Sequence, residues 1–136
     1  MSFEAYVALG CGVFAALVII VLIIWKAPRR IKPDKFADKW QKLQQRCADK
    51  TQWPQAIADA DNLLDEALRK RRVKGKSMGE RLVAAQKDFT NNDGVWFGHK
   101  LRTKLDLNPE LTLSKEDVQK ALIGLRQALK DLGVLR

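Results

Sequence analysis

Polar and apolar positions divide this chain into two unequal parts. From Val7 to Trp25 nineteen consecutive residues carry no charge, whereas beyond Lys26 apolar residues recur at helical spacings among charged ones. The uncharged run predicts a helix of roughly 28 Å, close to the hydrocarbon thickness of a bilayer. It lacks the polar stripe that a helix at the surface of a globular domain carries. Tyr6 and Trp25 stand at its two ends, where amphipathic rings favour the membrane interface. A cleaved signal peptide fits poorly, because Met1 to Tyr6 holds no Lys or Arg and no small-residue cleavage site precedes Lys26. The expectation is a transmembrane helix over 7–25 between a short extracytoplasmic N-terminus (1–6) and a basic connector (26–34), with a helical bundle domain over 35–136.

Charge gives this expectation a direction. Lys26, Arg29, Arg30, Lys32 and Lys35 crowd the C-terminal side of the run, against Glu4 alone on the other. The positive-inside rule then puts the N-terminus outside and the larger part in the cytoplasm, a single-pass protein of a bacterial cytoplasmic membrane. Tyr6, Trp25, Lys26, Arg29, Arg30 and Lys32 form the predicted interface with the lipid bilayer. Ala8, Gly12 and Ala16 recur every four residues, a spacing that permits homo-oligomers through close helix packing.

The remainder reads as all-α, an antiparallel bundle of about five helices. Pro28 and Pro33 interrupt the pattern beyond the uncharged run. Phe36, Trp40, Leu43 and Cys47 then make one apolar stripe behind a cap at Asp34. Pro54 opens a second helix reaching about Arg72, which turns Trp53, Ile57, Ala60, Leu64, Ala67 and Leu68 inward. Asp65 to Arg69 and Glu66 to Lys70 are i,i+4 ion pairs in the favourable order. After Gly75–Gly79 a third helix carries Leu82, Val83 and Phe89 to the core. Asn91, Asn92, Asp93 and Gly94 predict a turn before a fourth helix from Val95 to Leu105. Ser114 with Asp117 caps the last, whose Val118, Leu122, Leu125, Leu129 and Leu132 alternate spacings of four and three before Gly133.

The net charge of +9 favours anionic or acidic partners. Its densest expression outside the connector is RKRRVKGK, where Arg69, Lys70, Arg71, Arg72, Lys74 and Lys76 exceed what a helix C-terminus needs. This run is the candidate site for an anionic partner, lipid or RNA. Catalytic residues are scarce: His99 is the one histidine, and no nucleophile stands beside a base in a known spacing. No metal-ligand spacing is present and no cofactor is expected. Asp59, Asp61, Asp65 and Glu66 read as surface ion-pairing residues. Trp96, His99 and Arg102 fall near one helical face, with His99 as a hydrogen-bonded, half-buried neighbour of Trp96.

Three blocks, WPQAIADADNLLDEAL from Trp53, GKSMGERLVAAQKDF from Gly75 and VWFGHKLR from Val95, resemble a family of small bacterial membrane-anchored helical proteins. In that family the last block continues Arg-Asn-x-x-Ala-His, which is similar to the HEPN superfamily of helical bundles whose Arg and downstream His cleave RNA. The resemblance implies a HEPN-like bundle and makes Arg102 the motif arginine. Thr103 departs from the motif's polar partner, and Leu107, Asn108 and Pro109 fill the places of the second histidine, so the ribonuclease pair is incomplete. The expected function is accordingly a non-enzymatic, membrane-tethered helical interaction or scaffold module with a protein partner. The alternatives are an RNA-binding or residual ribonuclease module using Arg102 and His99, and an anionic-lipid-binding module.

Overall fold

The computed structural model describes the backbone of residues 3–26 and 33–136 and the side chains of residues 10–23 and 35–136. Its regular elements are the helices α1 (Phe3–Lys26), α2 (Pro33–Arg46), α3 (Trp53–Lys70), α4 (Met78–Ala85), α5 (Asn92–Leu107) and α6 (Lys115–Asp131). Short 3-10 turns lie at Lys50–Gln52 and Gln86–Asp88.

One prediction is corrected at once. Among the described residues no helix is long and apolar enough to cross a membrane. The described side chains of α1 run from Gly10 to Ile23. The transmembrane helix over 7–25, the single-pass membrane topology, the external N-terminus and the placement in a bacterial cytoplasmic membrane fall with that finding. Those described side chains are exposed, Phe14 at 70% and Ile23 at 62% among them, and a Cβ on Gly12 would meet nothing within 4 Å. The side chains of Tyr6, Ala8, Trp25, Lys26, Arg29, Arg30 and Lys32, assigned to the interface or to helix association, lie outside the described residues.

α3 is the centre of the bundle. Its Ala56, Ile57, Ala60, Leu64, Ala67 and Leu68 are buried, and it touches α2, α4, α5 and α6. Alternation of alanine with branched residues along this helix lets several neighbours approach it at once. Phe36, Trp40 and Leu43 of α2 join Leu64, Leu68, Leu125 and Leu129 in one apolar cluster, while Ile57, Leu101, Leu105, Val118 and Ala121 make a second at the α3–α5–α6 junction. Each large aliphatic side chain buried in this way contributes about 1.5 to 3 kcal/mol. Val83, expected inside, is 53% exposed. α4 is only two turns long, and Leu82 with Ala85 takes its inward face.

The helix ends follow local chemistry. Ser77, Asn91 and Ser114 accept backbone N–H bonds from Glu80, Gly94 and Asp117 at 3.2, 3.1 and 3.1 Å. Asn91 thereby starts α5 three residues before the predicted Val95, and the expected turn becomes its first coil. The backbone of Gly94 also limits what can stand opposite it on α6. A Cβ on Gly124 of α6 would overlap the Gly94 backbone, and one on Gly98 would stand 2.8 Å from Leu125 Cγ, so α5 and α6 meet almost backbone to backbone.

α6 ends with Gly133 at φ +77°, the Val134 amide bonding back to the Leu129 carbonyl at 3.0 Å. This is the left-handed helix ending that glycine favours. α3 ends the same way, with the Val73 amide bonding to Leu68 at 3.0 Å, but Arg72 holds the left-handed position at φ +57°. A side chain there costs about 1 to 2 kcal/mol.

Candidate functional site

Asp61 organises the polar interior. It sits on α3 one residue after the buried Ala60 and is itself fully buried. The reading of this carboxylate as a surface ion-pairing residue is therefore corrected. Helical spacing brings His99 and Arg102 of α5 to it together: Asp61 Oδ2 is 3.1 Å from His99 Nδ1 and 3.1 Å from Arg102 Nη1. A buried carboxylate needs such partners, since removing it from water uncompensated costs several kcal/mol.

Arg102 is held on further sides. Its Nη1 also donates to Asn62 Oδ1 at 2.8 Å. Its Nε faces Asp106 Oδ2 at 2.9 Å as an i,i+4 ion pair, out of line for a hydrogen bond, so this buried N–H has no aligned acceptor. His99 packs edge-on against Trp96 with ring centres 6.0 Å apart, as the sequence suggested. When the ring is neutral with Nδ1–H donating to Asp61, Nε2 is left as an acceptor. The hydroxyl nearest in sequence, Thr103, donates to the His99 carbonyl at 3.1 Å and is not poised as a nucleophile.

The basic run is tied into the fold more than its composition suggests. Arg69 pairs with Asp65 at 2.7 Å, and Lys70 pairs with Glu66 at 3.4 Å while lying 5.1 Å above the Phe36 ring. Arg71 donates to the carbonyl of Leu132 and so joins the ends of α3 and α6. The Lys76 amide donates to Glu80, closing the entry to α4. Lys74 is exposed. Arg81, which sequence reasoning passed over, is 8% exposed, bonds Asp65 through Nε at 2.8 Å and the Gly75 carbonyl through Nη1 at 2.9 Å, and pins the loop from below.

Burial of Glu66 works to raise its pKa, but Lys39 and Lys70 outweigh it and hold the carboxyl below its ordinary range. Burial likewise pushes the Cys47 thiol up, against the smaller opposing influence of Arg46.

An open groove of about 600 Å³ runs over Asn62, Asp65, Glu66, Arg69, Lys70 and Arg72. Asn62 links it to the Asp61 cluster through its bond with Arg102. His99 and Arg102 are thus brought together on α5, and Arg69 and Lys70 form the last turn of α3, the helix that carries Asp61. Asp61 itself and Arg81 carried no sequence signal beyond charge. The one available hint was that Asp61 shares an inward sector of α3 with Ile57, Leu64 and Leu68. Among the described residues no group of three His, Cys, Asp or Glu side chains is placed to hold a metal ion. No family model, curated protein or solved structure matches the chain.

Proposed function

We propose that this protein is a non-catalytic helical interaction module that binds a protein partner. The observation that supports this most is the commitment of His99 and Arg102 to one buried carboxylate, which makes their chemistry that of a clasp between α3 and α5. Arg102, further occupied by Asn62 and Asp106, is not free to meet a developing negative charge. The test is incubation of single-stranded RNA with the purified chain, followed by gel analysis. Intact RNA is expected; cleavage that disappears in Arg102→Ala would overturn the reading.

A second reading, an RNA-binding or residual ribonuclease module, is favoured by the continuity of Arg102, through Asn62, with the groove beside Arg69, Lys70 and Arg72. It requires RNA affinity that falls steeply with salt, because phosphate contacts release counterions. Affinity independent of salt would remove it.

A further inference from the structure

α6 meets α5 closely, yet across its other flank it leaves a gap against α2. An open groove of about 500 Å³ occupies this gap, floored by Trp40, Leu43 and Leu122 and edged by Ile123 and Arg126. A second hollow of about 300 Å³ shares Trp40, Gln44 and Arg126 with it and continues towards Val134 and Arg136. Together they make one trough along two helices.

Three properties set this trough apart. Ile123 stands off the inward stripe of α6 and is 64% exposed, so core packing gives no reason for it. The residues lining the trough include no Asp or Glu, whereas the groove over α3 mixes acids with bases. Arg126 is exposed and has no ion-pair partner among the described residues, unlike Arg46, Arg69 and Arg102.

We propose that the α2–α6 trough receives an amphipathic helix of a partner protein, apolar along one stripe and acidic on its flanks. The inference rests on the interaction-module reading and names the partner's chemistry. Apolar anchors at i, i+3, i+4 and i+7 of such a helix fit a trough between two helices. Charge complementarity decides the flanks, since Arg126 and Arg136 are the only charged residues of the lining. It also argues against a second copy of this chain, because each copy carries +9. A nucleic acid would find few cations over this apolar floor.

The test uses the full chain and two synthetic helical peptides with the same leucine stripe, one flanked by Glu and one by Lys, followed by fluorescence anisotropy. The Glu peptide is expected to bind at least about tenfold tighter than the Lys peptide, a difference typical of one or two complementary charges. Ile123→Asp should weaken it by about tenfold as an anchor contact is lost. Arg126→Glu should invert the preference between the peptides. Both residues are exposed, and circular dichroism checks that the variants remain folded.

Equal affinities for the two peptides, no binding of either, or indifference to both substitutions overturns the proposal. So does sedimentation showing a dimer that Ile123→Asp dissolves, which gives the trough to a second copy. Failure here with RNA left intact removes the acidic helix alone. RNA cleavage dependent on Arg102 removes the module reading beneath it.

Discussion

α5 and α2 both lie against α3, and they are held by opposite means. α5 is fastened by a buried carboxylate that gathers His99 and Arg102, and by glycines that bring its backbone onto α6. α2 inserts Phe36, Trp40 and Leu43, but its polar links to α3, Lys39 to Glu66 at 3.1 Å and Arg46 to Asp59 at 2.6 Å, are solvent-facing, and towards α6 it leaves a trough. Buried polar contacts and backbone apposition tolerate little change, whereas exposed ion pairs contribute at most about 1 kcal/mol each. The seam around α5 therefore specifies the fold. The edge beside α2 is looser, and the proposed partner helix would lie there.

The largest expected effect would break the α5 side. Asp61→Ala leaves His99 and Arg102 without their shared carboxylate and should lower stability by about 3 kcal/mol, read from the urea midpoint. Gly124→Ala drives a methyl into the Gly94 backbone, and its expected loss is about 2 kcal/mol. Little change in either would mean that α5 is held no more firmly than α2.

The next substitution sharpens the contrast at the helix ends joined by Arg71. Arg72→Gly relieves the left-handed strain that Gly133 avoids on α6, and thermal unfolding should show a gain of about 1 kcal/mol. A loss would show that the Arg72 side chain is worth more to the fold than its backbone costs.

The smallest effect lies on the α2 side and is a pH dependence. The folded carboxyl of Glu66 lies below its ordinary value of 4.5, so its contribution is present above that pH and declines as pH falls through the folded value. Comparison with Glu66→Gln should show a slightly flatter acid limb. An identical slope would mean that the Lys39 link adds nothing to the hold on α2.

Much of the bundle was legible beforehand because helical periodicity, caps and ion pairs act over a few residues. Phe36, Trp40, Leu64, Leu125 and Leu129 face inward where their spacing put them, and Ser114 caps α6. The Arg69 and Lys70 pairs form as their order implied. The proximity of His99 to Trp96 was likewise readable from a spacing of three. Val83 is turned outward because Leu82 and Ala85, three residues apart, take the inward face of α4. The uncharged stretch over 7–25 predicts a span by its length, its lack of a polar stripe and the rings at its ends, yet no helix among the described residues is long and apolar enough to cross a membrane.

The sequence by itself determined the number and order of the helices beyond residue 35, the apolar stripe of most of them and the Ser114 cap, and that the chain is basic. The helices follow from interactions within one or two turns, the charge from composition. Only the tertiary structure decided that Asp61, among four nearby acids, is the one taken inside, because that depends on α5 supplying His99 and Arg102 at 3.1 Å from 38 and 41 positions along the chain. It also decided that Gly94 and Gly124 are a contact and that α2 and α6 leave a trough. A pattern within a helix records which face is buried; how closely two faces approach depends on both at once.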